Sequence, residues 1–235
     1  MESLKSILLG EAVSFMGAEN EGTGVILSPG RVMLFNGHSL SMSINNFLAI
    51  QSSDYENFFS KFQKALEIGK VPNPLLGTIT YTPKSNYNKI DTVYVTESGY
   101  GTLLYKIVAK LSKTGFIRPD YEVSDSARKI WIKFYYDKYC EKRLMSEFYE
   151  MTGQRTLPKE FPTGDESFIL FAPKTSDFSA LVNEAEIQLE EIAENIVEKY
   201  KDKSKEEVVL DFKRYLKTLS VKEFSEYYDG GKRPK

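Results

Sequence analysis

The 235 residues, 41% hydrophobic and 27% charged, suffice for an ordinary core and exclude collagen-like, disordered and membrane-spanning classes. A net charge of -2 gives no general attraction to nucleic acid or anionic lipid, so neither partner is indicated, although a local basic patch fits within such a total. The single cysteine, Cys140, rules out an internal disulfide and fits a reducing compartment, and its expected place is a half-buried helix thiol.

From the N-terminus, Leu4, Leu8, Ala12, Phe15 and Met16 recur at helical spacing until Gly17. The apolar run at residues 7–9 is too short for a signal peptide or a span, which makes cytoplasmic residence the default expectation. Residues 25–27 and 32–35 are apolar runs around Pro29-Gly30 and predict a hairpin. Asn36-Gly37 is expected to close its second strand, with Asn36-Gly37-His38 as a turn.

Ser53-Asp54-Tyr55-Glu56 has the capping-box pattern, followed by Phe58, Phe59, Phe62, Ala65 and Leu66 on the core face of a helix ending near Gly69. Residues 77–82 and 90–96 predict an antiparallel strand pair. A helix over 102–113, an extended piece at 115–121, a helix over 125–139 and a strand at 167–172 complete a mixed α/β pattern. In the tail, Leu181, Ala185, Leu189, Ile192, Ile196 and Tyr200 mark an amphipathic helix with an acidic outer side. Capping boxes at Ser204-Lys205-Glu206-Glu207 and Ser220-Val221-Lys222-Glu223 predict two more helices. These tail helices suit a solvated cover over the core, or an arm for a protein partner or self-association.

Chemistry concentrates in residues 90–134. A strand there runs into Gly99-Tyr100-Gly101 and a helix start. Unpaired N-H groups and partial positive charge at a helix N-terminus attract phosphate, and glycines let it approach the backbone. On the following helix face stand Leu104, Ile107, Val108 and Leu111, and then comes Ser124-Asp125-Ser126-Ala127-Arg128-Lys129-Ile130-Trp131. His38 is the one histidine, so no His-based metal site or Ser-His-Asp triad arises without it, and no Walker, EF-hand or Asp-x-Asp pattern occurs; no metal is expected.

The two linked patterns resemble the GNAT acyltransferase superfamily: Gly-x-Gly-x-x-Leu at Gly99, Gly101 and Leu104, then Asn-x-x-Ala-x-x-Leu-Tyr matched in spacing by Ser124, Ala127, Ile130 and Trp131. Gly-Tyr-Gly-x-Leu-Leu-Tyr with Val-Ser-x-x-Ala-x-x-x-Trp is similar to a GNAT-like group encoded by tailed bacteriophages. The resemblance implies a central, mostly antiparallel sheet flanked by helices over residues 1–175, with a helical extension over 176–235. It also implies acetyl-CoA or CoA as cofactor and transfer of the acyl group to an amine. Val95, Ser98, Gly99, Tyr100, Gly101, Thr102, Leu103 and Ser124 would hold the cofactor. Its pantetheine arm would lie between two strands that splay apart, the first ending near Thr96 and the second around Phe116-Ile117. A backbone N-H near residues 93–95 would polarise the thioester carbonyl.

Three positions depart from the family pattern. Thr96 stands where Gln or Arg is usual, Ser124 replaces asparagine, and Trp131 replaces a tyrosine whose phenol protonates the departing thiolate. An indole N-H is no acid. Tyr94, Glu97 and Tyr135 are the candidates for acid and base, with Asp91 and Tyr136 beside them. The alternative function is a GNAT-like phage structural or regulatory protein without turnover, acting through protein contacts in the host cytoplasm or virion.

Overall fold

The computed structural model describes residues 22–51, 54–96, 99–120, 123–144, 169–175 and 177–229. Among them are seven strands: β1 (Thr23–Ser28), β2 (Arg31–Asn36), β3 (Leu75–Pro83), β4 (Tyr87–Val95), β5 (Phe116–Arg118), β6 (Glu141–Leu144) and β7 (Ile169–Ala172). Six helices accompany them: α1 (Gly37–Ile50), α2 (Phe58–Glu67), α3 (Tyr100–Leu111), α4 (Asp125–Tyr136), α5 (Ser179–Lys199) and α6 (Lys205–Asp229). Strand order is β1-β2-β3-β4-β5-β7-β6. The pairs β3–β4, β5–β7 and β6–β7 are antiparallel, and β4–β5 is parallel. This is the mixed α/β, mostly antiparallel class that the sequence predicts.

The chain divides into two compact units, one of residues 1–26, 33–76 and 179–235, the other of residues 27–32 and 77–178. In the first, Leu40, Ile44 and Phe47 of α1, Phe58 and Phe62 of α2, Leu189, Ile192 and Ile196 of α5 and Phe212 of α6 are buried. Phe47 meets the rings of Phe58 and Phe62 edge-on, with centroids 5.4 and 5.5 Å away, an arrangement favoured by the ring quadrupoles. The Lys199 ammonium donates to the Leu48 carbonyl and, at 2.5 Å, to that of Gln51, so a cation on α5 covers the negative end of α1.

In the second unit, α3 lies along β4. Asn88, buried at the start of β4, donates from Nδ2 to the Val108 carbonyl at 2.9 Å, satisfying one of the last carbonyls of α3. Leu104, Ile107 and Val108 bury one face of α3 together with Ile90, Phe116 and Ile117. Trp131 and Phe134 of α4, Tyr105 of α3 and Phe171 of β7 form an aromatic cluster in the same unit, with Trp131 centroids 4.9 Å from Tyr105 and 5.2 Å from Phe171.

Several expectations change. Asn36-Gly37-His38 is not a turn: Asn36 is the N-cap of α1 and its Oδ1 accepts the Ser39 N-H at 2.8 Å, so the strand passes straight into a helix. The capping-box pattern at 53–56 does not open α2, which begins after Asn57; Ser53 itself lies outside the described residues. Ser204 and Glu207 do form the reciprocal box, at 3.2 and 3.0 Å. The pattern beginning at Ser220 falls inside α6, which runs unbroken from Lys205 to Asp229, so this serine opens no new helix. Strand β6 lacks a sequence signal, being Glu-Lys-Arg-Leu on an edge. Helix α4 stops at Tyr136, so Cys140 sits in the turn before β6 and is buried rather than half-buried. The expected N-terminal helix lies outside the described residues.

Two caps thus begin α1 and α6. Asn36→Ala and Ser204→Ala should each lower stability by about 1 kcal/mol, read as a shift in urea midpoint with unchanged slope.

Candidate functional site

The site forms where β4 and β5 part. Their parallel register covers Tyr87↔Phe116, Asn88↔Ile117 and Lys89↔Arg118 only. Strand β5 ends at Arg118 before Pro119, which has no N-H to continue a ladder, whereas β4 runs on to Val95 against β3. The register between β3 and β4 shifts between Thr80 and Tyr81, whose partners are Thr92 and Ile90, leaving Asp91 as the additional residue of a bulge. A bulge twists the strand locally, here at the point of separation.

Polar groups fix this fork. Lys89 bridges Asp91 at 2.9 Å and Asp120, just past β5, at 3.2 Å. Thr82 donates to Asp91 at 2.7 Å. The Asp91 hydrogen bond raises the Lys89 pKa above the ordinary lysine range, desolvation opposes this, and Asp120 adds to it. Its raised pKa keeps the tether intact at neutral pH; the stability it contributes is lost only as pH climbs through that raised value.

At the far end of β4 the chain turns through Gly99, whose φ of +100° disfavours any side chain, and enters α3 with no side-chain cap. Helix α3 starts close to the strands because two positions lack bulk. A Cβ on Gly77, opposite Val95, would come within 2.9 Å of the Tyr94 carbonyl and 3.1 Å of Leu104 Cδ1. A Cβ on Gly101 would lie 3.1 Å from Ile130 Cδ1 and 3.6 Å from Val95 Cγ2. The second glycine of Gly-x-Gly therefore serves packing of α3 against β4 and α4. Ser124 caps α4, its Oγ accepting the Ala127 N-H at 3.3 Å.

Of the sequence candidates, the structure brings together Val95, Gly99, Tyr100, Gly101, Thr102 and Leu103 at the junction of β4 and α3, with Ser124 opening α4, whose Ile130 packs near Gly101. Ser98 and Glu97 lie outside the described residues. Tyr94 is half-buried on β4 beyond the fork and faces Thr78 across the pair. Tyr135 lies at the end of α4, in edge contact with Tyr136, with the Lys142 ammonium 5.7 Å from its ring centre. Trp131 is 1% exposed. Its neighbour Tyr105 is buried, and burial pushes that phenol well above its usual range, which makes it a weaker acid than an exposed tyrosine. The Lys89–Asp91–Asp120 tether and the role of Gly77 were missed, since neither a charged alternation nor a lone strand glycine announces its partner in sequence.

No family model and no curated protein matches this chain. A crystal structure from Pyrococcus horikoshii described as "A Putative Acetyltransferase" is 16% identical, with 49% of this chain and 46% of that chain covered and a TM-score of 0.25. The chain spans about half the length of that structure, and a likeness of this size carries no argument.

Two outcomes follow from the geometry. Gly77→Ala should cost about 1–3 kcal/mol through overpacking against a backbone carbonyl, measured by chemical denaturation. Burial pushes the Cys140 thiol up to about 12, with Asp137 adding and Lys142 opposing. Native protein at about pH 8 should thus resist thiol reagents and react only on unfolding; stability from this group persists up to the ordinary thiol range and falls as pH rises toward 12.

Proposed function

We propose that this protein binds coenzyme A or its acyl thioester in the fork between β4 and β5 and transfers the acyl group to an amine. The observation that carries the reading is the three-residue pairing of β4 and β5, followed by their separation beside an uncapped helix start entered through a positive-φ glycine. A parted strand pair accepts an extended arm; a helix N-terminus accepts the phosphates at its end. The residues fit the cofactor: α3 has no acidic residue in its first turn, and the cap residue places no side chain over its N-H groups.

Bound acyl-CoA would supply an activated thioester carbonyl. The first turn of α3 would hold its phosphates by backbone N-H groups and the helix dipole. Beyond Lys89, alternate residues of β4 turn their N-H groups to the side that β5 leaves, where an extended amide chain can pair with them. Tyr94 is the phenol on this part of β4, and we assign it the proton for the departing thiolate. The acceptor amine belongs on the β4 face that Tyr94 shares.

Burial of Trp131 in the aromatic cluster favours a second reading, in which the fork binds the cofactor without turnover and the protein acts through contacts with other proteins.

The protein with CoA at about one hundred times its Kd should gain about 2.7 kcal/mol, a rise in Tm of roughly 5–10 °C for a chain of this size. Thr102→Glu places a carboxylate in the first turn of α3, where it favours the helix dipole but repels phosphate. This variant should keep or raise the unliganded Tm and lose the CoA shift. No shift in the wild type at millimolar CoA would sink the cofactor reading. Release of free thiol from acetyl-CoA with amine present, lost in Tyr94→Phe, separates the enzyme from the binding protein.

A further inference from the structure

The segment that leaves the aromatic core, residues 128–143, holds six cations, Arg128, Lys129, Lys133, Lys138, Lys142 and Arg143, against two carboxylates, Asp137 and Glu141, in a chain whose net charge is -2. Both carboxylates are engaged. Asp137 Oδ1 accepts the Tyr139 N-H at 2.8 Å, and Glu141 pairs with Arg143 at 2.7 Å. The segment ends in β6, the edge of the sheet, where Glu141, Lys142 and Arg143 are all exposed.

Aromatic rings interleave with these cations. Tyr136 is 71% exposed and Tyr139 53% exposed. The ammonium of Lys138 sits 4.8 Å, and that of Lys174 5.5 Å, from the Tyr139 ring centre, so one ring is within cation–π range of two cations. Lys129 and Lys133 precede Tyr136 by seven and three positions, spacings that put all three on one exposed face of α4. Lysines on an edge strand also block sheet-to-sheet pairing, but that role requires no exposed tyrosines.

The geometry points to this α4–β6 face as a binding surface for single-stranded nucleic acid, with the lysines along the phosphates and Tyr136 as the stacking face for a base. Cations that track a backbone, with a ring that any base can stack on, are the two features such surfaces combine. The surface stands on residues outside the β4–β5 fork and is independent of cofactor binding there.

The test is fluorescence anisotropy of a labelled oligothymidylate of about 20 nucleotides with the full chain at about 50 mM salt. Binding should weaken with salt on a log-log slope of about -3, the value for about four phosphate contacts on a single strand. Lys138→Glu with Lys174→Glu, which replaces exposed side chains, should weaken binding at least about tenfold, whereas Lys110→Glu on the exposed side of α3 should not. Tyr136→Ser should weaken oligothymidylate about tenfold and leave heparin, a polyanion without bases, unchanged. Thermal midpoints confirm that these variants are folded. Absence of binding at low salt, equal loss of heparin and oligothymidylate in Tyr136→Ser, or oligoglutamate displacing the oligonucleotide at equal affinity would each overturn the proposal, the last by making the surface a site for acidic protein.

Discussion

Strands β4 and β5 share three residue pairs, and the chemistry assigned to this protein depends on their sharing no more. Two covalent facts bring this about. Proline at 119 removes the donor that a fourth pair would need, and Asp91 enters β4 as an additional residue that redirects the strand. Lys89 then holds the two strands at the point of parting, reaching Asp91 on its own strand and Asp120 beyond β5. Beyond this tether β4 continues against β3 to Val95, and among the described residues it pairs no further with β5.

Helix α3 is fitted to the same strand at both ends. Asn88 fixes its C-terminal carbonyls to the start of β4, while the absence of side chains at Gly77 and Gly101 lets its first turn approach the end. A helix start needs proximity to the fork to act on a ligand lying there, and these contacts supply it. The same close packing explains why two of the motif glycines answer to different demands: Gly99 to backbone conformation, Gly101 to the side chains of Ile130 and Val95.

Much of this was legible in the sequence, and the reasons are local. Alternating β-prone runs identified β3 and β4, and the apolar face Leu104, Ile107 and Val108 identified α3, because each depends on periodicity within one element. The strand-glycine-helix order located the candidate site for the same reason. What escaped notice depends on partners distant in sequence. Lys89 gains meaning from Asp120, Gly77 from Leu104, and Lys199 from the end of α1. Helix α1 was hidden because its cap, Asn36-Gly37, also reads as a turn, and the distinction rests on whether the Asn36 side chain takes the Ser39 N-H. Trp131 was read as a departure from a family pattern; its burial shows that it has a structural occupation, as the centre of an aromatic cluster.

Amide-resolved NMR during titration with CoA examines the fork most directly. The account requires the backbone amides of Gly99, Tyr100, Gly101, Thr102 and Leu103, together with those of β4 beyond Lys89, to shift in a single saturable process. Shifts confined to other residues, or an unchanged spectrum at millimolar CoA, would contradict it.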